Sequence, residues 1–327
     1  MRKLIAVAGM LFAASALAED FKIATGSKTG TYSTMLTQVS KYCSSDDALK
    51  LVNVETSGSV ENLQLLLDNQ VNAAFVQEDV LFFKDKTDNI QGSVKTLLAL
   101  YPEEVHFLGR AAPLKQTQEG KHFWNKDTTN EITLGSVEDL SNRKVGAAGG
   151  SYITEQLIRL QAEIPFSVTE FSNNAELKKA LDSGQVDAAV FVGGQPLPLI
   201  GGDPNAKPPI PALGPDYKLL PLQPQSVDKL KNIYKLARLK YPKMTAASIS
   251  SISTDSLLVT GNYKTPRMVS QLKALHDCIL EHLADFQETT GFHAKWRQVD
   301  AANQGKWPSR YEFPAVVSTD GRKTKKK

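Results

Sequence analysis

The chain has 327 residues and a formal net charge of +3, with 41% hydrophobic residues and two cysteines. Its length exceeds what one small core usually organises, so we expect two lobes. Seven basic residues lie within the first three and last six positions, which leaves residues 19–321 with a charge of −4. This distribution argues against a nucleic-acid-binding face on the body of the protein.

The first 18 residues have the pattern of a secretory signal peptide. The basic start "MRK" precedes the apolar stretch "LIAVAGMLFAASALA", and residues 16–18 fit an A-x-A cleavage site. The alternative is a membrane anchor, but the apolar stretch is shorter than the roughly 20 residues that span a bilayer. We therefore expect export, with cleavage after Ala18.

Hydrophobic periodicity in the first quarter alternates between strand and helix. "FKIAT", "LKLVNVE" and "VNAAFVQ" predict strands, whereas the segment from Thr31 to Cys43, "SVENLQLLLDN" and "EDVLFFK" predict helices. Because strands and helices alternate, the sheet should be parallel, with helices on both faces.

The same order of elements returns further along the chain. "RKVGAAGGS", "SVTEF" and "VDAAVFVGG" predict strands, and "YITEQLIRLQAEI" and "NNAELKKALDSG" predict helices. We therefore predict an α/β protein with two similar lobes, each a mostly parallel sheet with flanking helices and a ligand cleft between the lobes. A break at "YPEEVHFLGRAAP" gives lobe I as 19–106 plus 254–321, and lobe II as 107–253.

The rest of the sequence is less regular. Residues 193–225 are dense in proline and glycine and predict an extended loop. "ISTDSLLVT" predicts a strand, and "PRMVSQLKALHDCILEHLADFQETTG" predicts one long helix. The lysine-rich tail, residues 322–327, predicts disorder.

Cys43 and Cys278 are the only cysteines. In an exported chain two cysteines indicate one disulfide, and the alternative is a pair of buried free thiols. Both cysteines belong to the predicted lobe I, so they can be neighbours, and we predict that they are bonded.

Three predicted strands end in polar, glycine-containing helix starts, at "TGSKTGTY", "TSGSVENL" and "GAAGGSY". Backbone N–H groups at such starts can bind an anion, and in parallel sheets ligands lie beyond the carboxyl ends of the strands. The alternative at each is a tight turn, or capping alone, with Ser59 as the expected N-cap. The first is not a phosphate loop, because Thr31 and Tyr32 follow Gly30.

Enzyme and metal signatures are missing from the sequence. Ile153 stands where a nucleophile elbow requires glycine, and the five histidines have no metal-ligand spacing. The adjacent acids Glu78 and Asp79, and likewise Glu103 and Glu104, are predicted to lie on surface turns. We expect no enzymatic activity, cofactor or metal.

Five segments, in order and at suitable spacing, resemble the TAXI class of TRAP-transporter solute-binding proteins. They are "IATGSKTGTY" (23–32), "VETSGSVENLQLL" (54–66), "AAFVQEDV" (73–80), "LSNRKVGAAGGS" (140–151) and "LDSGQVDAAVFVGGQP" (181–196). Members of this family are exported receptors with a type II periplasmic-binding-protein fold. Tyr152 stands where the family usually has a small residue.

The resemblance implies a periplasmic, monomeric receptor that closes two lobes on a small organic anion. The expected ligand is an acidic amino acid or a dicarboxylate, and the expected partners are the membrane permease subunits of a sodium-driven TRAP transporter. The alternatives are a sensing subunit of a signalling system, an exported enzyme on the same fold, and a surface interaction protein.

The resemblance and the polar helix starts together predict the ligand-binding residues. We expect Tyr32 to stack on the ligand or hydrogen-bond to it, whereas Asn62 has the alternative role of stabilising its own helix. Arg110 would either pair with a second carboxylate or lie on the surface. The full predicted set is Thr25, Gly26, Tyr32, Ser59, Asn62, Gln77, Ser151, Tyr152 and Gly193.

Overall fold

The computed structural model describes residues 20–45, 48–118 and 128–314. The predicted signal peptide and the predicted basic tail lie outside these residues. Within the described part of the chain, no helix is both long enough and apolar enough to cross a membrane.

Strands and helices alternate through much of the chain, as the periodicity predicts. The strands are β1 (Phe21–Ala24), β2 (Leu51–Val54), β3 (Ala73–Gln77), β4 (Val94–Arg110), β5 (Leu114–Gln118), β6 (Thr128–Ile132), β7 (Lys144–Ala148), β8 (Ser167–Phe171), β9 (Ala188–Gly193), β10 (Tyr217–Leu219), β11 (Lys235–Leu239) and β12 (Ile249–Gly261). The α-helices are α1 (Thr31–Cys43), α2 (Ser59–Leu67), α3 (Glu78–Asp88), α4 (Gly150–Gln161), α5 (Asn174–Ser183), α6 (Pro198–Gly201), α7 (Pro224–Leu230), α8 (Pro266–Glu281) and α9 (Leu283–Glu288). A 3-10 turn spans Ala294–Gln298.

Two sets of parallel strands are joined by an antiparallel pair. The main sheet has the order β2-β1-β3-β12-β4-β9-β7-β8, with β10 beside β4 and β11 beside β12. β1 pairs in parallel with β2 and β3, and β7 pairs in parallel with β8 and β9. β12 pairs antiparallel with β3 and β4, and β4 pairs antiparallel with β9. The fold is therefore a two-lobed α/β fold with a mixed, curled sheet, which confirms the predicted fold class.

The stretch predicted as a break between lobes is the middle of a strand. "YPEEVHFLGR" forms the second half of β4, which runs for 17 residues through both lobes. Pro102 lies opposite Asp255 of β12, next to a register shift between Asp255 and Leu257. A proline fits in a ladder at such an irregularity, because its missing N–H then costs no regular hydrogen bond. The predicted boundaries at 106/107 and 253/254 fall inside β4 and β12.

Separate hydrophobic clusters lie under the two sets of parallel strands. In one cluster, α1 and α8 pack on β1 and β3, with Ile23, Met35 and Leu272 fully buried. In another, α4 packs on β7 and β9 through Ile158 and Val190. The disulfide between Cys43 and Cys278, with a Cα–Cα distance of 5.7 Å, joins α1 to α8 and confirms the predicted pairing.

The late segment predicted as one long helix forms two helices. The helical conformation is interrupted at His282, which has φ −97° and ψ 13°, and α9 follows from Leu283. The turn brings Phe286 against Trp296, with ring centroids 4.5 Å apart. Hydrophobic packing against the 3-10 turn therefore prevails over the continuous helical pattern. Residues 193–225 are mostly irregular, as predicted, with α6, β10 and the start of α7 as short exceptions.

Candidate functional site

A cavity of about 440 Å³ lies between the two lobes, where β1, β3, β7 and β9 end. Parallel strands of each lobe point their carboxyl ends at it, which is where ligand sites form in open α/β sheets. Its lining residues are Thr25, Gly26, Ser27, Thr29, Gly30, Thr31, Tyr32, Thr56, Ser57, Gly58, Ser59, Gln77, Glu103, Ala148, Gly150, Ser151, Asn173, Asn174, Ala175, Val192, Gly193, Leu197 and Leu199.

Three helices begin at this cavity without a capping side chain. The N-cap residues of α1, α2 and α4 are Gly30, Gly58 and Gly149, and none of them has a side chain that could accept a hydrogen bond. First-turn N–H groups of a helix have no partner within the helix, and the helix dipole places partial positive charge there. These three starts therefore offer hydrogen-bond donors and a favourable field to an anionic group.

Glycines allow the two lobes to approach closely beside the cavity. Gly149 has φ 54° and ψ −129°, and a Cβ on it would lie 2.6 Å from the carbonyl oxygen of Ser57. A Cβ on Gly150 would lie 1.8 Å from Oε1 of Gln77. The start of α4 thus touches the turn before α2 and the end of β3, and the structure shows the lobes in contact.

Hydroxyl groups at the predicted site tie helix starts to strand ends. Ser59 Oγ accepts a hydrogen bond from the backbone N–H of Gln77 at 3.1 Å, and Ser151 Oγ accepts one from Val192 at 3.0 Å. Thr25 Oγ1 donates to Asn53 Oδ1 at 2.6 Å. Ser59 is the first residue of α2 and not its N-cap, because Gly58 holds that position. These side chains therefore shape the cavity as well as line it.

Tyr32, on α1, and Gln77, at the end of β3, belong to the same lobe and have different hydrogen-bond partners. The Tyr32 ring stacks on Phe75 at 5.1 Å, and its hydroxyl donates to Oε2 of Glu103. Burial, and next the charge of Glu103, raise the pKa of Tyr32 well above its ordinary value. Gln77 Nε2 donates to Oγ1 of Thr154 in α4 at 3.4 Å.

Seven of the nine predicted residues line the cavity, and two do not. Asn62 is fully buried behind it, where its Nδ2 donates to the carbonyl oxygens of Thr25 and Phe75. Asn62 thus takes the alternative role, holding α2 against β1 and β3. The ring of Tyr152 packs among hydrophobic residues of two clusters. Contact of the other seven with a ligand stays a prediction.

Arg110 lies away from the cavity. It does not line the cavity and does not pair with a second carboxylate there. Its guanidinium packs over Gly184 at the end of α5, where a Cβ would lie 2.9 Å from Nη2.

The adjacent acids predicted on surface turns are all buried, each with partners. Glu78 Oε1 accepts from the backbone of Trp307 at 2.8 Å, and Glu104 Oε1 pairs with the ammonium of Lys295 at 2.5 Å. Glu103 is 3% exposed and lines the cavity. The prediction was wrong because buried partners compensate acids both at the start of a helix and in a strand, and these partners come from distant parts of the chain.

Asp79 connects the two lobes beside the cavity. It lies in the first turn of α3 in one lobe, and its Oδ2 accepts hydrogen bonds from Thr154 of α4 at 2.6 Å and from Tyr234 at 2.9 Å. Burial raises the pKa of Asp79, and the bonds from Thr154 and Tyr234 oppose that rise. This cluster holds the lobes in the arrangement that encloses the cavity.

Sequence reasoning missed part of the lining. Thr31 Oγ1 is buried without a hydrogen-bond partner within the described structure, although it borders the cavity. Leu197 and Leu199 provide an apolar wall from the proline-rich segment, and Asn173 caps α5 at its rim. The position of Thr31 at the start of a predicted helix could have identified it as a lining residue. Leu197 and Leu199 lie in a mostly irregular segment, where no sequence pattern indicates that they line a cavity.

Chemically, the described lining offers hydroxyls, backbone donors and one carboxyl group, without a nucleophile–base pair. No group of three or more histidine, cysteine, aspartate or glutamate side chains among the described residues could hold a metal ion. The arrangement can bind a small polar molecule.

Comparison with solved structures gives similar folds at low identity. An arginine transport-system periplasmic binding protein from Legionella pneumophila is 13% identical, with a TM-score of 0.48 over 82% of this chain and 95% of that one. An arginine-bound amino acid ABC transporter substrate-binding protein from Streptococcus pneumoniae is 14% identical, with a TM-score of 0.47 over 85% and 95%. The glutamate-bound GluR0 ligand-binding core from Nostoc punctiforme is 15% identical, with a TM-score of 0.44 over 85% and 95%.

The sequence comparisons give one family. No curated protein matches the chain. The model of the NMT1-like family matches residues 23–260, which run from within β1 to within β12 and include every residue that lines the cavity. With well over half of its length matched in this way, the chain belongs to the NMT1-like family.

Proposed function

We propose that the protein is an exported, monomeric solute receptor that binds a small organic anion between its lobes, without turning it over. The observation that carries this proposal is the cavity between the lobes, at which three uncapped helix starts meet. Its volume lies within the range of about 300–1,000 Å³ that is usual for small-molecule sites.

The lack of a basic side chain in the described lining favours a carboxylate over a phosphate ester as the anionic group. No lysine or arginine borders the cavity within the described structure, whereas phosphate sites commonly add a basic side chain to the backbone donors. Lys28 lies in the turn between β1 and α1, is exposed, and does not line the cavity. An acidic amino acid or a dicarboxylate is the ligand class that the sequence resemblance supports.

The five segments that resemble the TAXI class support a TRAP-type transporter as the destination of the ligand. On this proposal the chain is made with an 18-residue signal peptide, acts in the periplasm and docks on membrane permease subunits. Periplasmic extracts should contain a protein whose first residue is Glu19. Proteoliposomes that hold the permease should take up the ligand only with the receptor outside and a sodium gradient across the membrane.

Ligand binding can be tested by native mass spectrometry of the purified protein, followed by thermal shift. We expect a carboxylate from a panel of amino acids, dicarboxylates and inorganic phosphate to stabilise the protein by about 2.7 kcal/mol at a hundredfold excess over its dissociation constant. Thr31→Val removes an unpartnered hydroxyl at the cavity and should weaken binding, whereas Lys28→Ala should not. A shift with phosphate alone, no shift at all, or conversion of the bound compound would overturn the proposal.

A further inference from the structure

Among the lining residues of the described structure, Glu103 is the one acidic side chain, and no lining residue is basic. It lies in the half of β4 that passes between the lobes. A ligand enclosed in this cavity therefore meets three helix starts, a set of hydroxyls and a single carboxyl group.

The carboxyl of Glu103 has a fixed position between the two lobes. Its Oε2 accepts the hydrogen bond of the Tyr32 hydroxyl from α1, and the Tyr32 ring is held against Phe75. Its Oε1 lies 3.9 Å from the place of a Cβ on Gly193, at the end of β9. Tyr32 and Gly193 both line the cavity, so this carboxyl points to a ligand that the lobes enclose.

Five charged or titratable groups interact with Glu103. They are Tyr32 on α1, Asp79 on α3, Tyr101 and Glu104 on β4, and Lys295 on the 3-10 turn. The Lys295 ammonium is engaged by Glu104 at 2.5 Å and by Gln298 at 2.8 Å. It therefore pairs with Glu104, and Glu103 has no ion-pair partner of its own among the residues that the structure describes.

Burial raises the pKa of Glu103 to about 8, because the hydrogen bond from Tyr32 and the charge of Lys295 compensate it only in part. In the empty protein at neutral pH, Glu103 therefore holds a proton for most of the time. An ammonium group next to it would favour the ionised carboxylate.

We propose that Glu103 binds an ammonium group of the ligand, and so selects zwitterions such as α-amino acids over dicarboxylates. The inference rests on the proposed function, since it takes the ligand carboxylate to lie at the helix starts. A zwitterion places its carboxylate at the helix starts and its ammonium at Glu103. A dicarboxylate would bring a second negative charge beside Glu103, with no basic side chain in the lining to compensate it.

Binding is coupled to the release of a proton. Glu103 loses its proton to the solvent when the ligand ammonium, which stays protonated, forms the ion pair. The pKa of Glu103 is raised in the free protein, so below about pH 8 Glu103 must lose a proton before it can pair with the ammonium. The affinity for a zwitterion should therefore rise as the pH increases towards 8 and fall as the pH decreases below it. A dicarboxylate hydrogen-bonded to protonated Glu103 would show the opposite dependence.

Matched ligand pairs test the inference by isothermal titration calorimetry. The probes are amino acids and their 2-oxo analogues, which replace only the ammonium-bearing carbon by a carbonyl: L-glutamate with 2-oxoglutarate, L-alanine with pyruvate, and L-leucine with 4-methyl-2-oxopentanoate. At pH 8 we expect one or more of the amino acids to bind at least about a hundredfold tighter than its 2-oxo analogue. From pH 6 to pH 8 its affinity should rise at least about tenfold, with a net release of protons that two buffers of different ionisation enthalpy reveal.

Glu103→Gln keeps an acceptor for the Tyr32 hydroxyl but cannot ionise. It should lower the affinity for the amino acid about a hundredfold, change that for the 2-oxo acid by less than about threefold, and abolish the pH dependence. Glu281→Gln, on the exposed side of α8, is the matched control and should change none of these. The matched pairs and the pH series use the native chain, so the test stands even if Glu103→Gln fails to fold.

The outcomes separate the two proposals. If 2-oxo acids or dicarboxylates bind as tightly as amino acids, or if affinity falls as the pH rises to 8, the role of Glu103 is overturned while the receptor function stands. If neither the three pairs nor the wider panel yields a ligand, the proposed function is overturned and this inference with it.

Discussion

At the scale of single residues, Glu155 offers a test of buried charge away from the cavity. It is fully buried in α4, and neither carboxyl oxygen has a hydrogen-bond partner within the described structure. Burial raises its pKa to about 9, and the charge of Arg159 opposes that rise only in part. The folded state thus keeps a proton that the unfolded state releases near its ordinary pKa of about 4.3.

This proton makes stability depend on pH in a defined direction. The contribution of Glu155 is fully present below about pH 4 and is lost as the pH rises towards 9. We predict that the free energy of unfolding of the native chain falls, relative to Glu155→Gln, by up to about 1.4 kcal/mol per pH unit in that interval. Urea unfolding at pH 5, 6.5 and 8 measures it. Glu170→Gln, at an exposed position, should show a constant difference, and a constant difference for Glu155→Gln would contradict the prediction.

The sequence located most of the cavity lining but not Glu103. Thr25 and Ser59 follow strands and Gln77 ends one, in a recognisable strand–turn–helix order, so topology alone places them at one edge of the sheet. Glu103 lies in a sequence of polar and charged residues after a proline, which is typical of an exposed turn. Its burial depends on Tyr32, 71 positions away, and no local pattern carries that information.

At the scale of elements, removing the disulfide between α1 and α8 tests how much one cross-link stabilises the fold. It joins residues 235 positions apart, and a cross-link over so long a loop restricts the unfolded chain strongly. We predict that Cys43→Ala with Cys278→Ala lowers the free energy of unfolding by about 4 kcal/mol in urea. Dithiothreitol should bring the native chain to the same value and leave the double variant unchanged. Equal stability of the unreduced native chain and the double variant would rule out this contribution.

Hydrophobic periodicity predicted the element boundaries where only one face of a segment is buried. It failed where both faces are buried or where tertiary contacts end a helix. The helices α1, α2 and α5 have one apolar face and were predicted to within two residues at each end, whereas the predicted α4 starts two residues late and ends three residues late. β4 was missed because most of its positions are buried on both faces, which removes the alternation that identifies a strand. The end of α8 at His282 was missed because the contact of Phe286 with Trp296 is a tertiary one.

At the scale of the whole molecule, the contact between the lobes should control affinity. Gly149 meets the carbonyl of Ser57 in the other lobe and has a positive φ. We predict that Gly149→Ala weakens binding of the ligand found by thermal shift at least about tenfold, because a Cβ there prevents full approach and strains the backbone. Small-angle scattering should show a ligand-saturated variant that is less compact than the saturated native chain.

The matched control is Gly92→Ala, because no atom lies within 4 Å of a Cβ at Gly92 and its φ is not positive. This variant should bind and compact like the native chain. Native affinity and native compaction in Gly149→Ala would show that the contact is not needed for closure.

The repeated order of strands and helices was enough to predict two lobes, but the closeness of their approach depends on backbone conformation at single glycines.

β4 and β12 both continue from one lobe into the other, and they pair antiparallel over residues 94–104 and 253–261, with two register shifts in the ladder. Two hydrogen-bonded strands resist twisting and sliding more than they resist bending, so we expect relative motion of the lobes to be an opening and closing about one axis. For the proposed receptor, occupancy of the cavity would then set a single angle between the lobes. A pair of fluorophores placed one on each lobe would read that angle directly, which makes the chain a suitable scaffold for an optical sensor of its own ligand.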